Sequence, residues 1–178
     1  ADLIAQAEHD IYAQSILVTD DINLIKLVNS SLKKQLKDLP KKNIAIKSLK
    51  KFGLAILAIN QKKITEIINT IAPEHLELNV KNYKSFVSRI KNSGSVCLGK
   101  YAVMAMTDYN VGSNHILPTN GSAKYSSGVS VNEFYKRISY INLSKKGIES
   151  LGPSVITLAN YEGIVGHAQS VKKRIRSK

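Results

Sequence analysis

A helix-to-strand transition lies near the middle of the chain at residues 62–80, KKITEIINTIAPEHLELNV. Isoleucines recur at helical spacing up to Ile71, which predicts an amphipathic helix. Pro73 disfavours the α region for Ala72, so the helix should end before the proline. The alternating run that follows, Leu76 to Val80, predicts a strand.

Glu74 and His75 lie at the start of this predicted strand, which is a rigid place to present polar groups. Histidine is the side chain best suited to move a proton near neutral pH, and the neighbouring carboxylate could act as a second base. The pair is therefore a candidate for acid–base chemistry. A surface Glu-His dipeptide without a role is the alternative, and the local sequence leaves both open.

The same alternation of short apolar strands with helices extends over most of the chain. Further strands are predicted at Ser15–Thr19, Ile44–Ile46, Phe52–Ile59 and Gly94–Gly99. This pattern predicts an α/β fold with a mostly parallel sheet. In such sheets functional groups gather in the loops beyond the carboxyl ends of the strands.

The composition changes after Gly128, which predicts a division into residues 1–128 and residues 129–178. From Lys145 onward the pattern is mainly helical, with an interruption expected at Gly152-Pro153. This tail is too thin to form its own core, so we expect it to pack on another surface, such as that of a second subunit.

Composition narrows the function classes. The single cysteine, Cys97, excludes an internal disulfide framework and is typical of a reducing compartment, which predicts a cytoplasmic protein. The longest apolar run, Phe52–Ile59, is too short to cross a bilayer, so no membrane partner is expected.

The formal charge of +13, from 26 basic and 13 acidic residues, raises the hypothesis of nucleic-acid binding. The basic residues are scattered, however, and form two loose clusters. They are Lys33, Lys34, Lys37, Lys41, Lys42, Lys47, Lys50 and Lys51 in one, and Lys172, Lys173, Arg174, Arg176 and Lys178 in the other. Tryptophan is absent and the tyrosines do not alternate with these clusters, so solvated helix faces are the better interpretation.

The histidines are the candidates for a metal site. The chain has 4 of them, His9, His75, His115 and His167. Gln6 shares a helix face with His9, and Asp108 begins the loop that contains His115. Such nitrogen and oxygen donors suit zinc without any thiolate. The spacing matches neither a zinc finger nor His-Glu-x-x-His, so surface histidines remain the alternative.

Five segments, in the same order along the chain, resemble conserved motifs of the histidinol dehydrogenase family. They are Gln6-Ala7-Glu8-His9, Pro73-Glu74-His75-Leu76, Asp108-Tyr109 with Gly112-Ser113-Asn114-His115-Ile116-Leu117-Pro118-Thr119, Ser127–Phe134, and Glu162-Gly163 with His167. The departures are Thr107, where the family usually has glycine, and Val111, where it has a small residue. Neither departure changes a functional side chain.

The resemblance implies a fold as well. It corresponds to the C-terminal portion of the family's chain, that is, an incomplete Rossmann-like α/β domain followed by a mainly helical tail. In this family the tail crosses to the partner of a homodimer. The resemblance also implies that the NAD-binding domain and a substrate-contacting serine lie upstream of Ala1, in the same polypeptide or in a separate N-terminal half.

The resemblance further implies a role for each candidate residue. Zinc would be held by Gln6, His9, Asp108 and, from the other subunit, His167. The substrate L-histidinol would contact Gln6, His9, Glu74, His75, Asp108, His115, Glu162 and His167. His75 would take the alcohol proton as hydride passes to NAD. Glu74 would then activate water for attack on the aldehyde, and a second NAD would complete the synthesis of L-histidine.

Three interpretations remain open at this point. The chain belongs to an active zinc- and NAD-dependent dehydrogenase, or it is a remnant that keeps the ligands but has lost catalysis. The third is a basic binding module that reuses the same scaffold for nucleic acid. The resemblance favours the first and leaves open whether this chain is active by itself.

Overall fold

The computed structural model describes residues 1–176, which form two compact units, residues 1–134 and residues 135–176. Helices and strands alternate in the first unit, as the sequence predicts. Its elements are α1 (Asp2–Ala7), β1 (Ile16–Thr19), α2 (Ile22–Gln35), α3 (Lys42–Phe52), β2 (Leu54–Leu57), α4 (Gln61–Ile71), β3 (His75–Leu78), α5 (Lys84–Val87), β4 (Ser95–Leu98) and α6 (Met104–Tyr109). Short 3-10 helices follow at Ser122–Lys124 and Val131–Phe134. The second unit contains α7 (Lys145–Tyr161) and α8 (Val165–Arg176).

The strands of the first unit form two separate parallel pairs. β1 pairs with β2 from Ile16↔Leu54 to Thr19↔Leu57. β3 pairs with β4 from His75↔Ser95 to Leu78↔Leu98. The α/β class and the parallel pairing are therefore confirmed, although each sheet has only two strands in the described residues.

The β1–β2 sheet is not fully covered on its faces. Leu54 and Leu57 of β2 are 52% and 51% exposed, so both side chains are in contact with solvent in this chain. The β3–β4 pair is better supported, because Leu78 forms a small core with Ile68 of α4 and Phe86 of α5.

The central helix-to-strand transition follows the predicted course. Asn60 caps α4 by accepting a hydrogen bond from the Lys63 N–H at 2.9 Å. The helix ends at Ile71, and Ala72 adopts a left-handed conformation with φ 51°. Pro73 explains this ending, because the proline ring disfavours the right-handed α conformation at the preceding residue.

The strand predicted at Ile44–Ile46 is wrong, because these residues lie inside α3. Ala45 and Ser48 are both fully buried, and their spacing of three residues places them on one helix face. The Ser48 hydroxyl donates to the Ala13 carbonyl at 2.8 Å, which fixes the helix to the segment before β1. A run of three apolar residues does not distinguish a strand from a buried helical turn.

The second unit is a helical hairpin, and the interruption predicted at Gly152-Pro153 is also wrong. α7 continues through Pro153. Gly152 is buried, and a Cβ at its position would lie 2.5 Å from Ile175 Cδ1 and 2.9 Å from Val171 Cγ1 of α8. The two helices therefore pack closely at the residue expected to break the first one.

Two further observations concern the whole described chain. Across residues 1–176, every helix is too short or too polar to serve as a membrane span. Ser177 and Lys178 of the predicted tail lie outside the described residues, and Lys178 is also a member of the second basic cluster.

Candidate active site

The backbone around Glu74 is held in place by the start of β4. The Gly94 N–H donates to the Pro73 carbonyl at 2.9 Å, and the Ser95 N–H donates to the Glu74 carbonyl at 2.8 Å. A Cβ at Gly94 would lie 2.6 Å from the Glu74 carbonyl oxygen, so this close approach requires glycine. The segment between α4 and β3 therefore presents the Glu74 side chain from a fixed backbone.

Glu74 and His75 lie side by side at the beginning of β3. Nε2 of His75 is 3.8 Å from Oε1 of Glu74, and the two side chains are 19% and 34% exposed. Nδ1 of His75 is fully buried and, among the described residues, has no hydrogen-bond partner. Buried polar atoms in native proteins nearly always have a partner, and unpaired ones are often found at functional sites. The imidazole thus combines a neighbouring carboxylate with an unsatisfied ring nitrogen.

Asp108 and His115 form a second pair of polar side chains. Oδ1 of Asp108 is 3.2 Å from Nδ1 of His115. Asp108 is 16% exposed and His115 is 70% exposed, so the carboxylate faces the protein and the imidazole faces solvent. The pair joins the end of α6 to the loop that follows it.

Hydrogen bonds within that loop fix its course. The Ser113 hydroxyl donates to the Thr107 carbonyl at 2.9 Å. The Asn114 side chain accepts from the Ile116 N–H at 2.7 Å and donates to the Val129 carbonyl. These bonds hold the residues on both sides of His115.

The loop also reaches the segment that carries Glu74. Pro118 Cδ lies 3.1 Å from the position of a Cβ at Gly94, the glycine that contacts the Glu74 carbonyl. Gly121 lies against the end of α4, because a Cβ there would be 3.7 Å from the Ile71 carbonyl oxygen. The two polar pairs, Glu74-His75 and Asp108-His115, are therefore carried by adjacent segments of the first unit.

Gln6 and His9 lie on α1 and immediately after it. Gln6 is half-buried and His9 is exposed. The His9 N–H donates to the Gln6 carbonyl at 3.4 Å, so the last turn of the helix continues as far as His9. Both residues project from the same end of a short helix.

Glu162 and His167 lie in the second unit. Glu162 ends α7, and His167 is in the first turn of α8. Both side chains are exposed. The eight predicted site residues are thus divided between the units, six in the first and two in the second.

The donor types of the predicted metal site suit zinc. Gln6 offers an amide oxygen, His9 an imidazole nitrogen and Asp108 a carboxylate oxygen, all of which occur as ligands of zinc and related metals. Within residues 1–176, no three His, Cys, Asp or Glu side chains lie together as metal ligands. Of the predicted ligands in the first unit, only His9 and Asp108 are of these types, because Gln6 is an amide.

Glu77 is a site residue that the sequence did not single out. It lies two residues after His75 and therefore on the same face of β3. Its carboxylate accepts the N–H of Met104, the first residue of α6, at 2.8 Å. Burial raises the pKa of Glu77 above its usual value, and the nearby Asp2 carboxyl adds to the increase. Its position on the face of His75 was the one available sequence signal.

Cys97 is buried next to these acidic groups. It is the register partner of Glu77 across the β3–β4 pair. Burial raises the pKa of the Cys97 thiol, and the charges of Glu77 and Asp108 raise it further. Glu77, Cys97 and Asp108 therefore share one electrostatic environment.

Comparisons with known proteins all identify one family. The profile of the family described as histidinol dehydrogenase matches residues 1–175. A histidinol dehydrogenase of Pelagibacter ubique is 70% identical over 178 residues, which are 100% of this chain and 42% of the relative. One of Lactiplantibacillus plantarum is 42% identical over 174 residues, 98% of this chain and 41% of the relative.

A solved structure is similar as well. The crystal structure of histidinol dehydrogenase from Elizabethkingia anophelis matches with a TM-score of 0.83 and 37% identity. The match covers 98% of this chain and 40% of that chain. The chain thus spans about two fifths of the length of the relatives it matches.

Proposed function

The chain belongs to the histidinol dehydrogenase family, and from this premise we propose that it supplies the acid–base and metal-binding part of an L-histidinol dehydrogenase. The reaction is the two-step oxidation of L-histidinol through L-histidinal to L-histidine, with two NAD reduced, in histidine biosynthesis. The observation that carries this proposal is the Glu74-His75 pair at the start of β3.

The pair supplies the two bases that the reaction requires. Oxidation of the alcohol needs a base for the hydroxyl proton while hydride leaves for NAD, and His75 takes this role. In the oxidation of the aldehyde, a water molecule has to lose a proton as it attacks the carbonyl carbon. Glu74 is the base that accepts this proton. The separation of 3.8 Å allows both side chains to reach one bound substrate.

Gln6, His9 and Asp108 would hold zinc together with His167 of a second copy. When bound, zinc would orient the imidazole and the amine of histidinol, which matters because the reactive aldehyde has to stay in place between the two oxidations. His115, beside Asp108, and Glu162 of the second copy would contact the substrate. The donor types of these residues and the 3.2 Å separation of Asp108 Oδ1 and His115 Nδ1 support this assignment.

The remaining partners follow from the length of the relatives. A homodimer with exchanged C-terminal tails would bring Glu162 and His167 to the site. NAD binding would come from the portion of the relatives that this chain does not span, as part of the same polypeptide or as a separate N-terminal half. The free and buried Cys97 agrees with a cytoplasmic location.

The test is NAD reduction with L-histidinol and zinc. We would measure absorbance at the NADH band for the chain alone and for the chain mixed with the N-terminal portion of the Pelagibacter ubique relative. We expect NADH from the mixture. His75→Ala should lower the rate by about 10²–10⁴-fold, as expected for loss of a general base, while zinc content stays unchanged. Glu74→Gln should reduce oxidation of added L-histidinal by a similar factor.

Glu66→Gln is the matched control, because Glu66 is an exposed glutamate of α4 that pairs with Lys63. It should leave both rates unchanged. Absence of NADH from the mixture would refute the enzymatic proposal for this chain. Loss of zinc in His75→Ala would refute the role of His75, and unchanged zinc in both His9→Ala and Asp108→Ala would refute the ligand set.

A further inference from the structure

Glu77 contacts the first turns of two helices that carry proposed zinc ligands. Its carboxylate accepts the Met104 N–H at the start of α6. The carboxyl group of Asp2, the first residue of α1, lies close enough to raise the pKa of Glu77. One side chain of β3 therefore bridges two helices that are far apart in sequence.

The proposed ligands lie one helical turn beyond these contacts. Asp108 is four residues after Met104 on α6, and Gln6 is four residues after Asp2 on α1. Residues at this spacing lie on the same helix face, about 6 Å along the axis. Any movement of the first turn of either helix would displace its ligand by a comparable distance.

The start of α6 has no side-chain cap of its own. The side chain of the N-cap residue, Val103, makes no hydrogen bond to the first turn of α6, and none of the residues of α6 is buried. The first N–H groups of a helix need acceptors, and a carboxylate is a favourable one because of the helix dipole. Glu77 provides that acceptor from the neighbouring strand.

The same strand carries the proposed base. His75 and Glu77 are on one face of β3, and Cys97, paired with Glu77 on β4, is close enough to Asp108 to feel its charge. Because His75 and Glu77 belong to the same strand, fixing the position of α1 and α6 relative to Glu77 also fixes the position of their proposed ligands relative to His75.

We propose that Glu77 is a positioning residue that holds Gln6 on α1 and Asp108 on α6 in register with His75 on β3. The inference rests on the proposed function, because it assumes that Gln6 and Asp108 bind the metal. Glu77 itself touches neither metal nor substrate in this scheme. Its carboxyl group accepts the Met104 N–H of α6 and lies near the Asp2 carboxyl of α1, so it interacts with the first turn of each helix.

Two substitutions separate this role from a general effect on folding. Glutamine at this position can also donate to Asp2 and accept from Met104, whereas alanine can do neither. We expect Glu77→Ala to weaken zinc binding by about 10–100-fold, the range seen when a group that orients metal ligands is removed. Glu77→Gln should stay within about threefold of the unchanged chain. Glu66→Ala makes the same change at an exposed position of α4. It is the matched control and should have no effect on zinc binding.

The measurements are zinc affinity, by competition with a chromophoric chelator, and the visible spectrum of the Co²⁺-substituted full chain. The spectrum should shift in Glu77→Ala and stay as in the unchanged chain in Glu77→Gln. Without metal, the Met104 amide should exchange its hydrogen faster in Glu77→Ala than in the unchanged chain. Glu77→Gln should not show this increase. If Glu77→Ala does not fold, Asp2→Ala removes only the contact to α1 and should still weaken zinc binding severalfold.

Three results would overturn the inference. In the first, zinc affinity and the Co²⁺ spectrum are the same in Glu77→Ala as in the unchanged chain. In the second, Glu77→Gln is as impaired as Glu77→Ala, because the hydrogen bonds would then not be the cause. In the third, the unchanged chain binds no zinc, which refutes the proposed ligand set and this inference together, whereas the first two leave the ligand set intact.

Discussion

The burial of Glu77 couples this residue to the stability of the chain. A carboxyl group whose pKa is raised in the folded state binds more protons there than in the unfolded state. Its stabilising contribution is therefore complete below the usual pKa of 4.5 and is lost as the pH rises through the folded pKa. Above that pH the folded chain carries the cost of a partly buried charge beside Asp2.

Glu77→Gln should therefore stabilise the chain at pH 7 and have little effect at pH 4. Glutamine keeps both hydrogen-bonding groups but has no charge to bury. Urea unfolding at the two pH values, followed by circular dichroism, measures the difference in free energy of unfolding from the unchanged chain. Glu66→Gln should show no comparable change with pH. A Glu77→Gln chain that is less stable than the unchanged chain at pH 7 would contradict this account.

At the scale of residues, the sequence motifs were sufficient to nominate Glu74, His75 and Asp108, because these side chains lie in contiguous segments with recognisable order. The pairs Glu74-His75 and Asp108-His115 could be expected, because the members of each pair lie close together along the chain. Glu77 was present in the same segment but had no assigned role. Its importance depends on contacts with Asp2 and Met104, which come together only through the fold.

The pattern of elements was predictable where the local signal was strong. Pro73 was a clear helix stop, and the glycine-bounded strand β4 lies where expected. The strand predicted at Ile44–Ile46 was wrong because three apolar residues fit either period, and the contact of Ser48 with Ala13 favours the helix. Pairing of strands into two sheets rather than one depends on long-range packing that no local pattern records.

Packing in the helical hairpin leads to a prediction for Gly152. Gly152→Ala places a methyl group against Ile175 and Val171, where the available space is too small. Gly166→Ala in α8 is the matched control, because a Cβ there has no heavy atom within 4 Å. Both changes replace a helical glycine by alanine, so the difference between them reports mainly the packing cost at Gly152. We expect Gly152→Ala to be less stable than Gly166→Ala by about 1–3 kcal/mol.

Chemical denaturation of the two variants measures this difference, with far-ultraviolet circular dichroism as the probe of α7 and α8. Equal stability of the two variants would mean that α8 moves away from Gly152 without cost. It would then also show that the hairpin tolerates a wider separation than the structure has.

At the scale of the whole molecule, the segment at the start of the second unit is exposed. Residues 135–144 have neither helix nor strand, and every one of them is exposed. Lys136 and Arg137 lie within it and are trypsin sites. Proteases cut preferentially in exposed segments without regular structure.

Brief digestion with trypsin should therefore first cut after Lys136 or Arg137 and release a fragment that contains α7 and α8. Mass spectrometry of the early products identifies the sites. A double variant, Lys136→Gln with Arg137→Gln, should lose both products while digestion elsewhere is unchanged. Early cleavage after Lys47, inside α3, would contradict the boundary.

The two exposed leucines of β2 have a consequence for how copies of this chain behave in concentrated solution. A sheet of two strands has open edges, and open edges with apolar side chains promote aggregation. The charge of +13 opposes that association, since copies repel each other. Added salt shortens the range of the repulsion to about 10 Å at 0.1 M. The excess of lysine thus opposes aggregation of a chain whose sheet is incompletely covered, and this effect is weakest at high ionic strength.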